Sequence, residues 1–299
     1  MFAAPDTSDD VGRRKAERAE TAIALVKQAA QRNREMPGRT GALLELPSEG
    51  EVLVAGDLHG NRGNFYRLVE LAHLQRHRHR HLVVQEVVHT LVSGEDLDQS
   101  WQLVEMAART KTIFPAQFHY LLGNHEFAEV LDLEVGRRGR GMNAGFADGL
   151  RAAYGEQWRE VRAAYCEFWR SCPIVIHTPN RLFIGHATPR LNKIDGLDLE
   201  YLRNVEEEEI FRRHSPVFNM VWGRDYRPEV ADTFAEKMDA DLLIVGHTPC
   251  DNGVNAPNHR HVVLDTTSMD GKCALLPLGK PLSQMAALKR VRRLYGQAE

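Results

Sequence analysis

Short apolar runs alternate with amphipathic stretches over most of the chain. Runs of three or four apolar residues, at 52–55, 82–84, 120–122, 182–184 and 242–245, are typical of buried strands. Between them, residues 62–75, 99–110, 147–170 and 228–238 carry apolar side chains at the spacing of amphipathic helices. This alternation from residue 52 to about residue 278 predicts an α/β fold.

The N-terminal segment has a different pattern. Residues 11–34 are rich in Ala, Glu, Lys, Arg and Gln, which favour a helix, and Pro37 with Gly38 ends it. A weak apolar stripe (Ala19, Ile23, Val26, Ala30) predicts that this helix packs on the rest of the protein. We therefore expect a partly helical N-terminal extension over residues 1–45 and one large domain over residues 46–299.

Polar residues follow four of the apolar runs, at the point where each strand should end. Each block contains a glycine and one or two residues that can bind metal: Asp57 with His59, Asn124 with His125, His186, and His247. Asp, Asn and His are poor strand formers, so this placement predicts ligands presented at a sheet edge. One such block would occur often by chance, whereas four in series indicate a two-metal hydrolase.

The spacing of these residues suggests how they divide between two ions. Asp57 and His59 are two residues apart, so in extended backbone their side chains share a side and can bind one ion. Asn124 and His125 are adjacent and diverge, so one can bind metal while the other faces a substrate. A second ion can be closed by two histidines that end separate strands, His186 and His247.

Oxygen and imidazole donors without thiolate suit manganese, with iron or zinc as alternatives. A site that holds two divalent ions with two carboxylates has a net charge of about +2, which matches a phosphate dianion. Two such ions, about 3.5–4 Å apart, can hold a bridging hydroxide as nucleophile and clamp the phosphoryl oxygens.

Composition bears on the partners and the location of the protein, and says little about its chemistry. The 299 residues carry a net charge of −3, which gives no drive toward nucleic acid or an anionic membrane. No apolar run approaches the length of about 20 residues that spans a bilayer, and the first ten residues lack signal-peptide features. The four cysteines show no C-x-x-C spacing, so we expect a cytoplasmic protein without a disulfide framework. Histidines at 73, 77, 79 and 81, interleaved with arginines, predict a solvated connection.

The strand-end blocks together resemble the signature of calcineurin-like metallophosphoesterases. More narrowly, they resemble the phosphoprotein phosphatase family of Ser/Thr protein phosphatases. The stretch from Phe146 to Pro173 and the segment from Asn219 to Arg224 are also similar to that family, so the resemblance covers about residues 51–278. It implies a four-layer sandwich, with two mixed β-sheets flanked by helices and a dimetal site at the strand-end loops.

The resemblance also implies roles for individual residues. Asp57 and His59 would bind the first metal, and the second would be bound by Asn124, His186 and His247. Glu86 falls where the family has a bridging Asp. His125 would be the general acid that protonates the leaving alkoxide. Arg224 is the best match for the catalytic arginine that binds the substrate phosphate.

A fifth block departs from the family pattern. Gln85, Glu86, His89 and Thr90 stand where the family has Gly, the bridging Asp, a second Asp and an Arg. Glu86 keeps the charge but adds a methylene. His89 cannot supply the negative charge that an Asp would give His125, and Thr90 removes a bidentate phosphate clamp. The connection over residues 91–98, or one of Arg137, Arg138, Arg140 and Arg190, is a hypothetical replacement.

Three functions remain open at this level. The first is a metal-dependent phosphatase that hydrolyses phosphoserine and phosphothreonine in proteins. The second is a hydrolase of small phosphate compounds such as dinucleoside polyphosphates or phosphodiesters. The third is a non-catalytic relative that binds phosphorylated partners.

Overall fold

The computed structural model describes residues 8–91, 97–137 and 140–296, without the side chains of residues 8, 9, 137 and 140. Within these ranges no helix is both long enough and apolar enough to cross a membrane. The strands are β1 (Arg39–Thr40), β2 (Leu43–Glu45), β3 (Glu51–Asp57), β4 (Arg80–Gln85), β5 (Phe118–Leu121), β6 (Gly136–Arg137), β7 (Arg140–Gly141), β8 (Val175–His177), β9 (Leu182–Gly185), β10 (Leu242–Val245), β11 (Val254–Asn255), β12 (His261–Leu264), β13 (Lys272–Pro277) and β14 (Val291–Arg293). The helices are α1 (Ser8–Arg34), α2 (Arg62–Ala72), α3 (Trp101–Ile113), α4 (Asn124–Val130), α5 (Met142–Tyr154), α6 (Trp158–Ser171), α7 (Leu199–Asn204), α8 (Glu207–Ile210), α9 (Pro216–Val221), α10 (Pro228–Lys237) and α11 (Gln284–Leu288).

Two mixed sheets form the body of the protein. One has five strands in the order β14-β13-β3-β4-β5, and the other has seven in the order β1-β2-β8-β9-β10-β12-β11. In the first, β3, β4 and β5 are parallel while β13 runs antiparallel to β3. In the second, β9, β10 and β12 are parallel while β8 runs antiparallel to β9. The predicted pair of mixed sheets flanked by helices is confirmed.

The central strands are buried on both faces, which explains why they read as continuous apolar runs. In β3, Val52 and Val54 belong to the cluster between the two sheets, and Leu53 and Ala55 belong to the cluster under the helices. The seven-stranded sheet shows the same alternation: its β9 and β10 send Leu182, Ile184, Leu242 and Ile244 inward. Two apolar layers therefore fix the mutual position of the sheets, and with it the position of their edges.

The N-terminal helix packs as its apolar stripe predicts. Ala19, Val26 and Ala30 on α1 are fully buried and belong to the same cluster as residues of α3 and α6. Residues 39–45 then add β1 and β2 to the seven-stranded sheet, where β2 pairs with β8 in parallel. The division of the chain at residue 45 stays a prediction.

One predicted helix is divided in two. Residues 147–170 were expected to form a single helix, but α5 ends at Tyr154 and α6 begins at Trp158, with a 3₁₀ turn between them. The cause is Gly155, whose φ of +60° and ψ of −131° form a backbone conformation that only glycine adopts readily and that interrupts the helix. The break lets both helices pack against α1 and each other.

Candidate metal centre

The six predicted metal ligands meet at one edge of the paired sheets. Three come from the five-stranded sheet: Asp57 ends β3, Glu86 follows β4, and Asn124 begins the helix after β5. Two come from the seven-stranded sheet, since His186 follows β9 and His247 lies two residues beyond β10. The sixth, His59, lies in the turn after β3. An isolated parallel bridge between Asp57 and Asp265 joins the two sheets at this edge.

One group of donor atoms surrounds Nε2 of His186. This nitrogen lies 3.1 Å from Oδ1 of Asn124, 2.9 Å from Nδ1 of His247 and 3.4 Å from Oε1 of Glu86. Donors bound to one ion at about 2.1 Å are separated by about 3.0–3.4 Å in octahedral or tetrahedral geometry. Each of these three distances is close to the spacing of two ligands on a single ion.

A second group of donors uses the other oxygen of Glu86. Nε2 of His59 lies 3.2 Å from Oε2 of Glu86, and a ring nitrogen of His125 lies within 4.8 Å of both side chains' donors. Nδ1 of His59 lies 2.9 Å from the carbonyl oxygen of Val88. A carbonyl only accepts, so Nδ1 carries the proton and Nε2 of His59 presents a lone pair.

Asp57 lies beside these groups of close donors rather than inside either of them, among the residues described. Its Oδ1 accepts a hydrogen bond from the backbone N–H of His247 at 2.9 Å and lies 3.6 Å from Nδ1 of His186. The carboxylate of Asp57 thus touches the ligand loops of the other sheet.

The electrostatics of the centre fit a pair of cations. Burial, and then the charge of Glu86, raises the pKa of Asp57 well above its usual range. Burial, and then the charge of Glu126, also raises the pKa of Glu86. Burial lowers the pKa of His186 well below its usual value and that of His247 to about 3. Neutral imidazole is the metal-binding form, and divalent cations would stabilise the ionised carboxylates, so this donor set fits divalent metal ions.

Three of the metal donors, and His89 near them, occupy strained backbone. His59, Glu86, His89 and His247 have φ values of +42°, +43°, +62° and +65°, in the left-handed region that residues other than glycine rarely adopt. The expectation that Asp57 and His59 share a side of extended backbone was therefore wrong. His59 reaches the second donor group through a tight turn, and such strain is typical of functional sites.

Two glycines are required by the close approach of the chain to the donors. A Cβ on Gly123 would lie 2.3 Å from Oε1 of Glu86, and one on Gly246 would lie 2.3 Å from Oδ1 of Asp57. No real side chain tolerates such contacts. Glycine before Asn124 and His247 thus lets the backbone pass directly behind the carboxylates.

A buried carboxylate fixes the loop that carries Glu86. Oε1 of Glu126 accepts hydrogen bonds from the N–H groups of Val87 and Val88, at 2.8 and 3.2 Å, and from the Tyr120 hydroxyl at 2.7 Å. Oε2 accepts from the N–H of Gly123 at 2.9 Å. Glu126 therefore holds the loops that carry Glu86 and Asn124 in fixed relative positions.

Sequence reasoning placed His89 next to His125 but missed Glu129 and Arg162 behind it. Nδ1 of His125 lies 2.7 Å from Nδ1 of His89, and Nε2 of His89 lies 3.0 Å from Oε1 of Glu129. Nε of Arg162 donates to Oε2 of Glu129 at 2.9 Å. The spacing of His125 and Glu129, four residues apart at the start of a helix, could have indicated a shared face.

The cleft beside the donors has a volume of about 400 Å³. Arg224 is the arginine that lines it in the described part of the chain, and its Nη2 donates to the carbonyl oxygen of His247 at 3.1 Å. Trp222, Val135, Gly136 and Met142 also line it.

Thr90, which stands in place of an arginine, takes no part in lining this cleft among the described residues. Its hydroxyl and N–H donate to the carboxylate of Asp98, at 3.0 and 3.2 Å. Of the hypothetical replacements, Arg190 is exposed and does not line the cleft. Residues 92–96, Arg138 and the side chains of Arg137 and Arg140 lie outside the described residues.

Paired donor groups at the edge of a two-sheet sandwich, next to an arginine-lined cleft, define a metallophosphoesterase. The chain matches the calcineurin-like phosphoesterase family over residues 50–251. It therefore belongs to that family, whose members use dimetal centres.

Among curated proteins, the chain is similar to Ser/Thr phosphatases. It is 23% identical over 243 residues to a probable serine/threonine-protein phosphatase of Encephalitozoon cuniculi, covering 74% of this chain and 47% of the relative. It is 23% identical over 235 residues to human serine/threonine-protein phosphatase 5, covering 72% of this chain and 42% of the relative. The chain thus spans less than half the length of these relatives.

Solved structures share the fold at low identity. A Saccharomyces cerevisiae serine/threonine phosphatase with similarity to human phosphatase 5 aligns with a TM-score of 0.69 and 14% identity, covering 94% of this chain and 91% of that one. A cold-active protein-tyrosine phosphatase of a psychrophilic Shewanella species aligns with a TM-score of 0.58 and 15% identity, covering 89% of this chain and 84% of that one. These likenesses establish the sandwich architecture.

Proposed function

We propose that this protein is a dimetal phosphatase that hydrolyses phosphomonoesters, with phosphoserine and phosphothreonine in proteins as substrates. The observation that carries the proposal is the division of Glu86 between the two donor groups. One carboxylate oxygen is 3.4 Å from His186 Nε2 and the other is 3.2 Å from His59 Nε2. A carboxylate in that position can bridge two ions.

For five of the ligands the assignment follows from this division, while Asp57, which lies beside both donor groups, is assigned from the sequence pattern. Asp57, His59 and Glu86 would hold one ion, and Glu86, Asn124, His186 and His247 would hold the other. Manganese is the proposed metal, with iron or zinc as alternatives, because the donors are oxygen and imidazole without thiolate. When bound, such a pair lowers the pKa of water to generate a nucleophile and neutralises charge on the phosphoryl oxygens.

The chain's own side chains would complete the reaction. Arg224 is exposed at the cleft and would bind a phosphate oxygen. His125, which lines the same cleft, would donate a proton to the leaving alkoxide of serine or threonine. An alkoxide is a poor leaving group, so this proton transfer carries more of the rate for a protein substrate than for an activated aryl ester.

The experiment measures metal content and hydrolysis of an aryl phosphate together. Protein loaded with Mn²⁺ is expected to hydrolyse p-nitrophenyl phosphate, and Asn124→Ala is expected to abolish turnover by removing a ligand. Asn204→Ala is a matched control, because that amide bonds only Glu200 on a surface helix among the described contacts. A wild-type protein that holds two metals and turns over neither aryl phosphates nor phosphopeptides would overturn the proposal. If it bound phosphopeptides tightly, it would be a non-catalytic phospho-binding relative.

A hydrolase of dinucleoside polyphosphates or phosphodiesters is the second candidate. The observation that favours it is Thr90, whose hydrogen bonds to Asp98 leave that position without a phosphate clamp. A panel of phosphoserine, phosphothreonine and phosphotyrosine peptides against a dinucleoside tetraphosphate separates the two. Higher kcat/KM on the anhydride would replace the first candidate with the second.

The cytoplasmic location stays a prediction.

A further inference from the structure

A chain of buried polar groups leads away from His125. His89 lies between His125 and Glu129, with contacts of 2.7 and 3.0 Å, and both His89 and the Glu129 side chain are fully buried. Glu129 is in turn held by Arg162, whose Nε donates to Oε2 at 2.9 Å and whose Nη2 donates to the Glu129 carbonyl oxygen at 3.0 Å.

The direction of each hydrogen bond in this series follows from Arg162, the residue farthest from His125. Arg162 is always protonated, so Glu129 faces it as a carboxylate and can only accept. Nε2 of His89 must then carry a proton and donate to Glu129. A neutral imidazole has one donor and one acceptor, so Nδ1 of His89 is an acceptor. The hydrogen in the 2.7 Å contact between the two rings therefore belongs to Nδ1 of His125.

Contacts other than these hydrogen bonds also fix the position of His89. The backbone N–H of His89 donates to Oγ of Ser100 at 2.9 Å, and the ring contacts the edge of Phe146 with centroids 5.8 Å apart. Its φ of +62° is a strained conformation that the surroundings must hold. These contacts hold His89 in one orientation between Glu129 and His125.

We propose that Glu129 is a positioning residue that acts through His89 to hold His125 in the tautomer with its proton on Nδ1. Nε2 of His125 then faces the leaving group: the doubly protonated ring gives its Nε2 proton to the leaving oxygen, and the neutral ring that remains is the Nδ1–H tautomer. Glu129 would thereby supply through His89 the negative charge that the resemblance to Ser/Thr protein phosphatases places directly at position 89. The inference rests on the proposed phosphatase function, because it assigns a role in leaving-group protonation at the same site.

The first test varies the leaving group. Glu129→Gln keeps the size of the side chain. Its amide N–H can donate to Nε2 of His89, which would reverse the direction of the hydrogen bonds between residue 129, His89 and His125. In the Mn²⁺-loaded enzyme we expect kcat on phenyl phosphate to fall by about 10²-fold, the lower range of general acid catalysis, and kcat on 2,4-dinitrophenyl phosphate to fall by less than about 3-fold. Dinitrophenolate leaves without a proton, so it needs no acid.

Asp132→Asn is the matched control. Asp132 pairs with the same arginine, at 3.1 Å from its Nη2, but is exposed and does not contact His89 in the structure. We expect this variant to match wild type on both esters. Adding His89→Asp to Glu129→Gln places a carboxylate directly beside His125 and should restore most of the phenyl phosphate activity. An equal loss on both esters in Glu129→Gln, or no loss on either, would overturn the role of Glu129.

A second measurement needs no variant and no turnover. In zinc-loaded protein labelled with ¹⁵N-histidine, long-range ¹H–¹⁵N correlations report which ring nitrogen carries the proton. We expect a proton on Nδ1 of His125, whether or not Nε2 also carries one, and a proton on Nε2 but not Nδ1 of His89. The opposite tautomers would refute the inference even in an active enzyme. A wild type that holds both metals and hydrolyses neither ester would refute the phosphatase function, while the tautomers still decide the inference.

Discussion

In the described part of the protein, two buried histidine pairs have the same distance between ring nitrogens but differ in the charges and ring angles around them. His186 and His247 lie 2.9 Å apart between ring nitrogens, and so do His81 and His119. Burial lowers the pKa of all four rings. A short distance between two neutral imidazoles therefore does not distinguish a metal site from a packed core.

The surroundings of the two pairs differ in charge and in ring geometry. The first pair is edge-on, at 66° between ring planes, and faces the oxygens of Asn124 and Glu86. The second is stacked at 23°, and the nearby cation Lys111 adds to the lowering of the pKa of His119. A cation would be repelled from the second pair and attracted to the first, so the oxygen donors define the metal site.

Removing the shared carboxylate should produce the largest difference between the pairs. We expect Glu86→Gln to lose metal and to lower kcat on p-nitrophenyl phosphate by at least about 10³-fold, because bound metals supply several kcal/mol of transition-state stabilisation. His119→Gln should retain two metals per chain and near wild-type kcat. Metal analysis and steady-state kinetics check both. Loss of metal from His119→Gln would mean that the second pair also binds metal.

Replacing the proposed acid should separate proton donation from metal binding. We expect His125→Gln to lower kcat on a phosphoserine peptide by about 10²–10³-fold while two metals remain bound. The control is His81→Gln, which should leave both quantities unchanged. If His125→Gln instead loses metal, His125 is a ligand and the acid must be another group.

A methyl group at position 123, behind the donors, should weaken metal binding less than the loss of the Glu86 carboxylate does. The Cβ of Gly123→Ala would meet Oε1 of Glu86 at 2.3 Å and displace it. We expect metal affinity to fall about 10- to 100-fold, as for groups that orient ligands. The control is Gly145→Ala in α5, where the Cβ meets nothing within 4 Å and should stabilise the helix by about 0.5–1 kcal/mol. Competition with a fluorescent chelator measures the affinity; equal values for both variants would contradict the close approach.

The smallest effect concerns stability against acid in metal-free protein. Burial lowers the pKa of His81 to about 4, from about 6.5 in an unfolded chain, so the unfolded state binds the proton first. The stability associated with neutral His81 is therefore present above pH 6.5 and is lost as the pH falls toward 4. We expect His81→Gln to flatten that part of the pH profile by on the order of 1–3 kcal/mol. Guanidinium unfolding between pH 7 and pH 4 measures it, and an unchanged profile would place His81 in contact with water.

The sequence predicted what is local to each strand end. Gly followed by Asp, Asn or His after an apolar run predicted Asp57, Asn124, His186 and His247 as strand-end residues, and the structure places all four at one edge of the paired sheets. The two sheets and their flanking helices were also predictable, because strands buried on both faces leave continuous apolar runs.

The rest depended on contacts that no local pattern contains. Glu129 lies 40 residues from His89 and 33 from Arg162, so only the folded chain reveals their order. His81 was expected in a solvated connection, which was wrong. It lies within β4, which is buried from His81 to Gln85, and it is 7% exposed and packed against His119. The left-handed turns at His59 and Glu86 were also missed, since only a few per cent of residues other than glycine adopt that conformation.

The origin of the donors in two different sheets has a mechanical consequence. Asp57, Glu86 and Asn124 extend from the five-stranded sheet, and His186 and His247 extend from the seven-stranded one. An ion held by both sets would act as a cross-link between the sheets at the edge where Asp57 and Asp265 already meet. At a free metal concentration of about 1,000 times Kd, it would add about 4 kcal/mol to the free energy of unfolding. Chelation should therefore lower the melting temperature as well as the activity, and a thermal melt would report on assembly of the centre without any substrate.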